Sequence, residues 1–177
     1  MNMSSLGLIE LESIAKGYLC VDQMLKKAPV DLFLAKPFSS GKFIVMITGD
    51  VASVDESMKE GCEIAGPHLL DHAFIPAIHE QILPAISGKY TETSSLSSAI
   101  METSTVVSAI SALDRALKTS AIHVSDLKLG SGIGGKAYFI IQGELSDVEA
   151  SVEEAKNTLQ TKLIHSEIIP RPFLREG

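Results

Sequence analysis

The glycine-rich run at residues 130–136 comes nearest in this chain to a phosphate-binding motif. Its sequence, Gly-Ser-Gly-Ile-Gly-Gly-Lys, matches G-x-G-x-x-G and is close to a P-loop. Both motifs need a helix directly after the glycines, and a P-loop also needs Ser or Thr after its Lys. Here Ala137 follows the Lys, and residues 138–141 have the composition of a strand. The spacing therefore favours a glycine-rich loop between two strands over a nucleotide site.

A second group with chemical potential is a set of histidines at metal-like spacing. His68, Asp71 and His72 lie close together, with His79 a little further on. Pro67 precedes them and a strand is predicted to begin near Asp71, so the two neighbouring histidines do not share a helix face. We interpret them as solvated surface histidines, with a metal site as the alternative.

Composition excludes several classes of protein. The chain has 177 residues, a net charge of −7 and 45% hydrophobic residues, enough for a packed core in one domain or two small ones. The acidic balance argues against a nucleic-acid binder. The apolar runs are shorter than the roughly 20 residues of a membrane span, and the first residues do not resemble a secretory signal. Cys20 and Cys62 form no disulfide framework, are interpreted as buried small residues, and suit a reducing cytosol.

The most informative feature is an internal repeat. Residues 8–40 align with residues 100–132, and residues 41–79 align with residues 135–173. This alignment has 16 identities over 72 pairs, where roughly one pair in 17 would match by chance. The change of shift falls in a Gly/Ser loop, where insertions are tolerated. The sequence therefore predicts a duplicated domain.

Each half predicts the order β-α-β-β-α-β, which gives an α+β fold of two sandwiches, each with a sheet covered on one face by helices. The domains are predicted at residues 4–86 and 98–177, with a polar linker at residues 87–97. The predicted elements are strands 7–12, 30–36, 42–48 and 71–75 with helices Ile14–Lys27 and Val51–Ala65, and then strands 99–103, 122–129, 136–142 and 165–169 with helices Val106–Thr119 and Leu145–Leu159.

Glu10 and Glu102 are carboxylates at matching strand positions in the two halves. Such a pair could serve acid–base chemistry. A hydrogen bond at a strand edge or a contact between subunits is the favoured interpretation, and no Ser/His/Asp or Cys/His arrangement is evident. The sequence thus contains no convincing catalytic set.

The repeat resembles the bacterial microcompartment shell domain, and this ferredoxin-like domain is unpermuted here. The resemblance covers about four-fifths of the chain and rests on several motifs: residues 8–11 before a helix, residues 22–28 followed by Val30, the turn at residues 49–51, the loop at residues 130–132, and residues 169–172. Tandem members of the family form trimers that mimic the hexamers of single-domain members and tile into flat sheets. The likeness is strongest to the trimeric tandem proteins of propanediol-utilisation-type compartments.

The resemblance implies a structural shell protein, not an enzyme, located in a microcompartment shell in the cytoplasm. Its partners would be two further copies in a homotrimer, other shell proteins, and encapsulated enzymes. A central pore would pass small metabolites. The loops that line it in the family map to Phe38, Ser39, Ser40 and Gly41, and to Gly130, Ser131, Gly132 and Ile133. Hydroxyls and backbone amides there would suit small polar or anionic solutes.

The resemblance also implies contacts between tiles. Lys26 and Lys118 match the family's edge lysine, and Arg171 matches the edge arginine. Ala77 replaces the arginine in the first half, so only one of the two edge types keeps the pair. The alternative interpretation of both lysines is a solvated helix end stabilised by the helix dipole.

Some tandem relatives carry a cysteine in the first pore loop, and three copies hold an iron–sulfur cluster. The matching residue here is Ser39, and a hydroxyl is a poor cluster ligand. No cofactor and no metal are therefore predicted, and a cluster would require that Ser39 replace a natural cysteine. A different class of function also stays open, namely a duplicated ferredoxin-like sensor or small-molecule binding protein with its ligand between the halves.

Overall fold

The computed structural model describes residues 5–90 and 97–171. The chain forms two compact units. The first comprises Met1–Ile78 with Thr105–Val107 and Gly130–Gly135, and the second comprises His79–Ser104, Ser108–Leu129 and Lys136–Gly177. Two short segments of the second repeat, including its glycine-rich loop, thus belong to the first unit. The predicted domain limits at residues 4 and 177, and most of the predicted linker, lie outside the described residues.

Within residues 5–90 and 97–171, eight strands and five helices follow one another in the order that the repeat predicts, apart from one extra short helix. They are β1 (Ser5–Leu11), α1 (Ile14–Lys27), β2 (Asp31–Phe38), β3 (Lys42–Gly49), α2 (Val51–Ala65), β4 (Leu69–Ile75), α3 (Ile82–Ile86), β5 (Ser97–Thr103), α4 (Val106–Thr119), β6 (His123–Leu129), β7 (Ala137–Gly143), α5 (Leu145–Leu159) and β8 (Leu163–Pro170).

Each repeat contributes a four-stranded antiparallel sheet, with strand orders β2-β3-β1-β4 and β6-β7-β5-β8. The two sheets share their register, because Glu10 pairs with Ile44 and Glu102 pairs with Tyr138, residues that the repeat alignment makes equivalent. A register shift follows each of these two glutamates, between Glu10 and Leu11 and at the matching place in β5. The duplication and the predicted fold class are therefore confirmed.

The two long helices of the first unit each begin at a side chain that satisfies a free backbone amide. Ser13 caps α1 by accepting a hydrogen bond from the amide of Lys16, and Asp50 caps α2 by accepting one from the amide of Ser53. Hydrogen bonding by Ser53 holds the pKa of Asp50 below its usual value. None of the described helices is long and apolar enough to cross a membrane.

The core of the first unit lies between its sheet and the helices α1 and α2. Gly61 sits where α2 passes closest to its neighbours, since a Cβ there would lie 2.5 Å from both the Ile9 and Met24 side chains. A glycine at this place lets the layers approach closely. The buried core residues are Ile9, Leu11, Cys20, Met24, Phe43, Val45, Ile47, Val54, Met58 and Ala65.

Two sequence predictions need correction, and one helix was missed. Phe38 ends β2 instead of opening a loop, because its backbone pairs with Lys42 across the hairpin. Ser97 opens β5 instead of ending the linker, because it pairs with Gly143. The helix α3 was not predicted, since five residues that include Pro84 carry too little periodicity to signal a helix.

The segment around α3 protects the edge of the second sheet. Gln81 accepts a hydrogen bond from the amide of Val124 and donates one to the carbonyl of Ile122. Tyr90 likewise exchanges hydrogen bonds with the backbone of Leu127. These side chains satisfy the edge strand β6, which would otherwise offer free backbone groups to another strand.

Candidate functional site

Two tight loops carry seven of the eight residues that the sequence assigns to a pore, and the eighth, Phe38, ends the strand before the first loop. The first, Ser39–Gly41, is a single 3-10 turn between β2 and β3, with Ser40 at φ 68° and Gly41 at φ 73°. The second, Gly130–Gly135, joins β6 to β7 and closes with a hydrogen bond from the amide of Gly135 to the carbonyl of Gly130. A strand follows this loop, so the prediction of a strand-to-strand loop is confirmed and the helix that a phosphate site needs is not there.

The two loops meet within the first unit. The amide of Gly132 donates a hydrogen bond of 2.9 Å to Oγ of Ser39. The ammonium of Lys42 donates one of 3.3 Å to the carbonyl of Gly135. Residues 93 positions apart are thereby joined, and the structure brings together both groups that the family resemblance selects.

Phe38 has a different place from the other seven residues. It is 8% exposed, and a Cβ at Gly130 would lie 2.2 Å from its ring. Gly130 also has φ +70°, a conformation that glycine adopts without strain. The ring therefore supports the second loop from inside the unit, and the glycine is required by both space and conformation.

The remaining loop residues offer a small and uncharged polar surface. Ser40, Gly41, Ser131 and Gly132 are exposed, and Ile133 is partly buried. Ser39 is also partly buried, because its hydroxyl accepts the bond from Gly132. Hydroxyls at such a surface can hydrogen-bond polar or anionic solutes.

Glu10 lies beside these loops and is the most buried carboxylate of the first unit. It is 0% exposed and accepts hydrogen bonds of 2.7 Å and 3.3 Å from the amides of Val106 and Val107. The ammonium of Lys42 lies 2.9 Å from its second oxygen. Glu10 thus caps the amino end of α4, where a carboxylate also complements the helix dipole.

This finding corrects the expected strand-edge role of Glu10, since β1 is an inner strand between β3 and β4. The carboxylate bonds to backbone 96 residues away instead of to a neighbouring strand. Glu102 is not its structural equal. Its side chain is 43% exposed and lies 3.8 Å from the ammonium of Lys136.

The two candidate edge lysines lie in equivalent ion pairs. Lys26 is 2.7 Å from Asp22, and its side chain is 68% exposed. Lys118 pairs with Asp114, which is almost completely buried and also accepts a hydrogen bond from the amide of His79. The bond from Lys26 holds the pKa of Asp22 below its usual value. Arg171 is exposed at the end of β8.

The histidine group is dispersed. His68 lies 3.4 Å from Glu12, and its side chain is more than a third exposed. His72 directly follows Asp71 in β4, so their side chains lie on opposite faces of the sheet. Over residues 5–90 and 97–171, no cluster of three or more His, Cys, Asp or Glu side chains could hold a metal ion. Both cysteines are free thiols, and burial raises the pKa of each.

The second unit has a shallow cleft of about 280 Å³, lined by Glu80, Gln81, Pro84, Lys89, Tyr90 and Val124. Gln81 and Tyr90 already bond to the β6 backbone, so they offer little to a ligand. Nearby, a hydrogen bond to Asp126 together with burial raises the pKa of Tyr138 to about 12.

The duplicated α+β units and the paired loops define a tandem-domain protein whose distinctive surface is a loop pair. The BMC domain family matches residues 5–78 and 97–172. Bacterial microcompartment shell protein PduT of Citrobacter freundii is 39% identical over 170 residues, which are 95% of this chain and 92% of PduT. The chain therefore belongs to the BMC domain family and carries two copies of its domain.

Two further comparisons agree with this assignment. A solved structure of a microcompartments protein from Desulfitobacterium hafniense DCB has 40% identity and a TM-score of 0.85, with 96% of each chain covered. Carboxysome shell protein CcmK2 of Synechococcus elongatus is 30% identical over 92 residues, which are 50% of this chain and 90% of CcmK2. One such relative thus corresponds to about half of this chain, as duplication predicts.

Proposed function

We propose that this protein is a structural tile in the shell of a bacterial microcompartment, and that three copies close into a ring around a central pore. The observation that carries the proposal is the hydrogen bond between Ser39 and Gly132, which places the two family pore loops side by side. Threefold repetition of this loop pair would surround an axis with six small polar loops. No catalysis is assigned to the tile itself.

The pore would suit small polar or anionic metabolites. Ser40 and Ser131 present hydroxyls at the exposed surface of the loops. Phe38 is buried, so its ring would support the loops from inside the unit and would not contact the solute. Gly41 and Ile133 complete the rim.

An iron–sulfur cluster does not fit the first loop. The donor at the family's cluster position is the hydroxyl of Ser39, which already accepts a hydrogen bond from Gly132. Clusters are held by thiolates, and neither Cys20 nor Cys62 lies in either loop. We therefore propose a pore without a cofactor.

The native mass of the purified protein tests the ring. We expect native mass spectrometry to give about three times 18.9 kDa, with larger flat assemblies visible by electron microscopy. A protein that stays monomeric or dimeric up to high concentration would contradict the tile, because neither state encloses an axis lined by these loops.

The pore is tested by narrowing it. Ser131→Trp places a bulky side chain on an exposed loop residue, and Glu149→Trp places the same side chain on the exposed surface of α5. We expect solute flux into assembled compartments to fall only with Ser131→Trp, while both variants keep the trimer mass. Equal flux in the two variants would show that the solute does not pass along these loops.

The edge lysines are tested against a matched ion pair. Lys26 pairs with Asp22 on α1 just as Lys59 pairs with Asp55 on α2, four residues apart in both cases. We expect Lys26→Ala to keep the trimer and abolish sheets, and Lys59→Ala to keep both. Sheets that form normally from Lys26→Ala would leave the lysine as an ordinary solvated residue.

A further inference from the structure

The two candidate edge lysines follow the same partner in sequence but have different surroundings. Each comes four residues after an aspartate on its helix, as Asp22 and Lys26 on α1 and as Asp114 and Lys118 on α4. An acid placed before a base at this spacing is the favourable order on a helix. The duplication therefore supplies one ion pair twice, and any difference between the copies comes from the residues around them.

Asp114 of the second pair is a buried carboxylate. It is 2% exposed, and both of its oxygens have a partner. One oxygen accepts a hydrogen bond of 2.8 Å from the amide of His79, and the other accepts one from the ammonium of Lys118. A buried carboxylate depends on such partners, because it has lost the water that would otherwise stabilise its charge.

The backbone that donates to Asp114 is itself held in place. The carbonyl of His79 accepts a hydrogen bond from the amide of Ile82, and Nδ1 of its ring accepts one from the amide of Gln81. The side chain of Gln81 in turn bonds to the backbone of β6. The edge of the second sheet and the turn before α3 therefore fix Asp114 from the side opposite to Lys118.

The first pair is held only by its own helix. Within the part of the chain that the structure describes, Asp22 accepts hydrogen bonds from two side chains of α1, those of Gln23 and Lys26. The side chain of Asp22 is 49% exposed and that of Lys26 is 68% exposed. Ion pairs as exposed as this one contribute little, because water competes for both charges.

The two lysines therefore differ in their freedom to move. If Lys118 left Asp114, a buried charge would lose its counter-ion, whereas Lys26 can leave Asp22 at little cost. The side chain of Lys118 nevertheless keeps 35% exposure, so it remains open to contact from outside. A long side chain that is already ordered loses less conformational entropy when another molecule packs against it.

We propose that Asp114 is a positioning residue for the tile edge of the second repeat, and that it holds the ammonium of Lys118 in place before a neighbouring tile arrives. Lys26 becomes ordered only when tiles meet. The inference rests on the proposed shell function and on the edge role of the two lysines. It makes the two kinds of edge unequal, so that sheets begin to form along the edge of the second repeat.

The experiment compares Asp114→Asn with the matched control Asp22→Asn on the full chain. Asparagine can still accept from the amide of His79 but no longer attracts Lys118. The first measurement is the rate at which an N-hydroxysuccinimide ester acylates each lysine of the trimer, followed by peptide mass spectrometry. We expect Lys118 to react more slowly than Lys26 in the wild type and to lose this protection in Asp114→Asn, while Asp22→Asn leaves the rate of Lys26 unchanged.

The second measurement is the protein concentration at which sheets appear by light scattering, with circular dichroism and native mass as checks on fold and trimer. We expect Asp114→Asn to raise this concentration roughly fivefold, the effect of ordering one long side chain, and Asp22→Asn to change it by less than about twofold.

Two results would overturn the inference and leave the tile intact. One is equal acylation of Lys26 and Lys118 in the wild type, a comparison that needs no variant to fold. The other is a folded Asp114→Asn trimer that forms sheets at the same concentration as Asp22→Asn. A wild-type chain that forms neither trimers nor sheets would instead overturn the proposed function, and the positioning role with it.

Discussion

Replacing Glu10 and Glu102 by alanine, one at a time, provides an internal comparison of two residues that the duplication made equivalent. Glu10 is fully buried and joined to two amides and an ammonium, whereas Glu102 is about half exposed and has a longer contact with Lys136. Although the two glutamates occupy the same register position in their sheets, we expect them to contribute very different amounts to the stability of an isolated chain.

The magnitude for Glu10 follows from what its removal leaves behind. Breaking a buried pair costs about 3–5 kcal/mol because the remaining charge has no partner. The lower end applies, since the Lys42 side chain keeps 20% exposure to water and can be partly rehydrated. We therefore expect Glu10→Ala to lower the free energy of unfolding by about 3 kcal/mol, a value that includes the lost cap on α4. The exposed pair of Glu102 is worth about 0–1 kcal/mol.

Urea unfolding followed by circular dichroism measures both changes. With a slope near 2 kcal/mol per molar urea, the loss at Glu10 lowers the midpoint by about 1.5 M. Because the Glu10 contacts lie within one chain, this shift should be the same at every protein concentration. The shift for Glu102→Ala should be small at every concentration, because its ion pair with Lys136 is exposed to water.

Equal midpoints for the two alanine variants in dilute protein would refute the argument. That outcome would mean that buried Glu10, with its two hydrogen bonds to backbone amides, contributes no more to stability than the exposed ion pair of Glu102. Glu10→Gln gives an intermediate test, since the amide oxygen can still accept from Val106 while the attraction to Lys42 is lost. It should fall between wild type and Glu10→Ala.

Two further predictions concern backbone geometry and pH. Gly130→Ala should lower the melting temperature by more than Gly134→Ala. Both glycines have φ near +70°, so alanine at either position incurs about 1–2 kcal/mol of strain. Of the two, only Gly130 would place an added Cβ 2.2 Å from the Phe38 ring, and equal losses of melting temperature by calorimetry would contradict this packing. Asp50 has a lowered pKa in the folded state because it accepts hydrogen bonds from Ser53. Its ionised form therefore stabilises the fold. This stabilisation is complete above the pKa of about 3.9 that an aspartate has in the unfolded chain, and it is lost as pH falls through the folded pKa. The stability advantage of wild type over Asp50→Asn, a residue that caps but does not titrate, should therefore vanish in acid, and a difference that persists unchanged at low pH would contradict it.

The repeat and the helices could be predicted because their signals are local. The helices Ile14–Lys27, Val51–Ala65, Val106–Thr119 and Leu145–Leu159 have the bounds that periodicity and turn residues predict. Strand ends are less well defined by sequence, because pairing sets where a strand stops. Thus Phe38 and Ser97 lie in strands although their residue types suggest a loop and a linker.

The role of Glu10 could not be predicted in the same way. Its partners are backbone amides 96 and 97 residues away, and an amide has no residue type to recognise in a sequence. The repeat alignment selected Glu10 and Glu102 together but could not show that one is buried and the other exposed. Only a structure that places the amides of Val106 and Val107 beside Glu10 reveals that asymmetry.

The duplication separates what the backbone requires from what the surface can vary. Ser40 and Gly132 occupy equivalent loop positions at φ 68° and 79°, and Ala77 and Arg171 occupy another equivalent pair, both at φ 53°. The conformation is retained in both halves although the residues differ, even where a side chain with positive φ costs energy. A duplicated chain can therefore keep one backbone conformation in both halves while its two loops and its two strand ends carry different side chains. The two halves can then differ in surface chemistry without any change of fold.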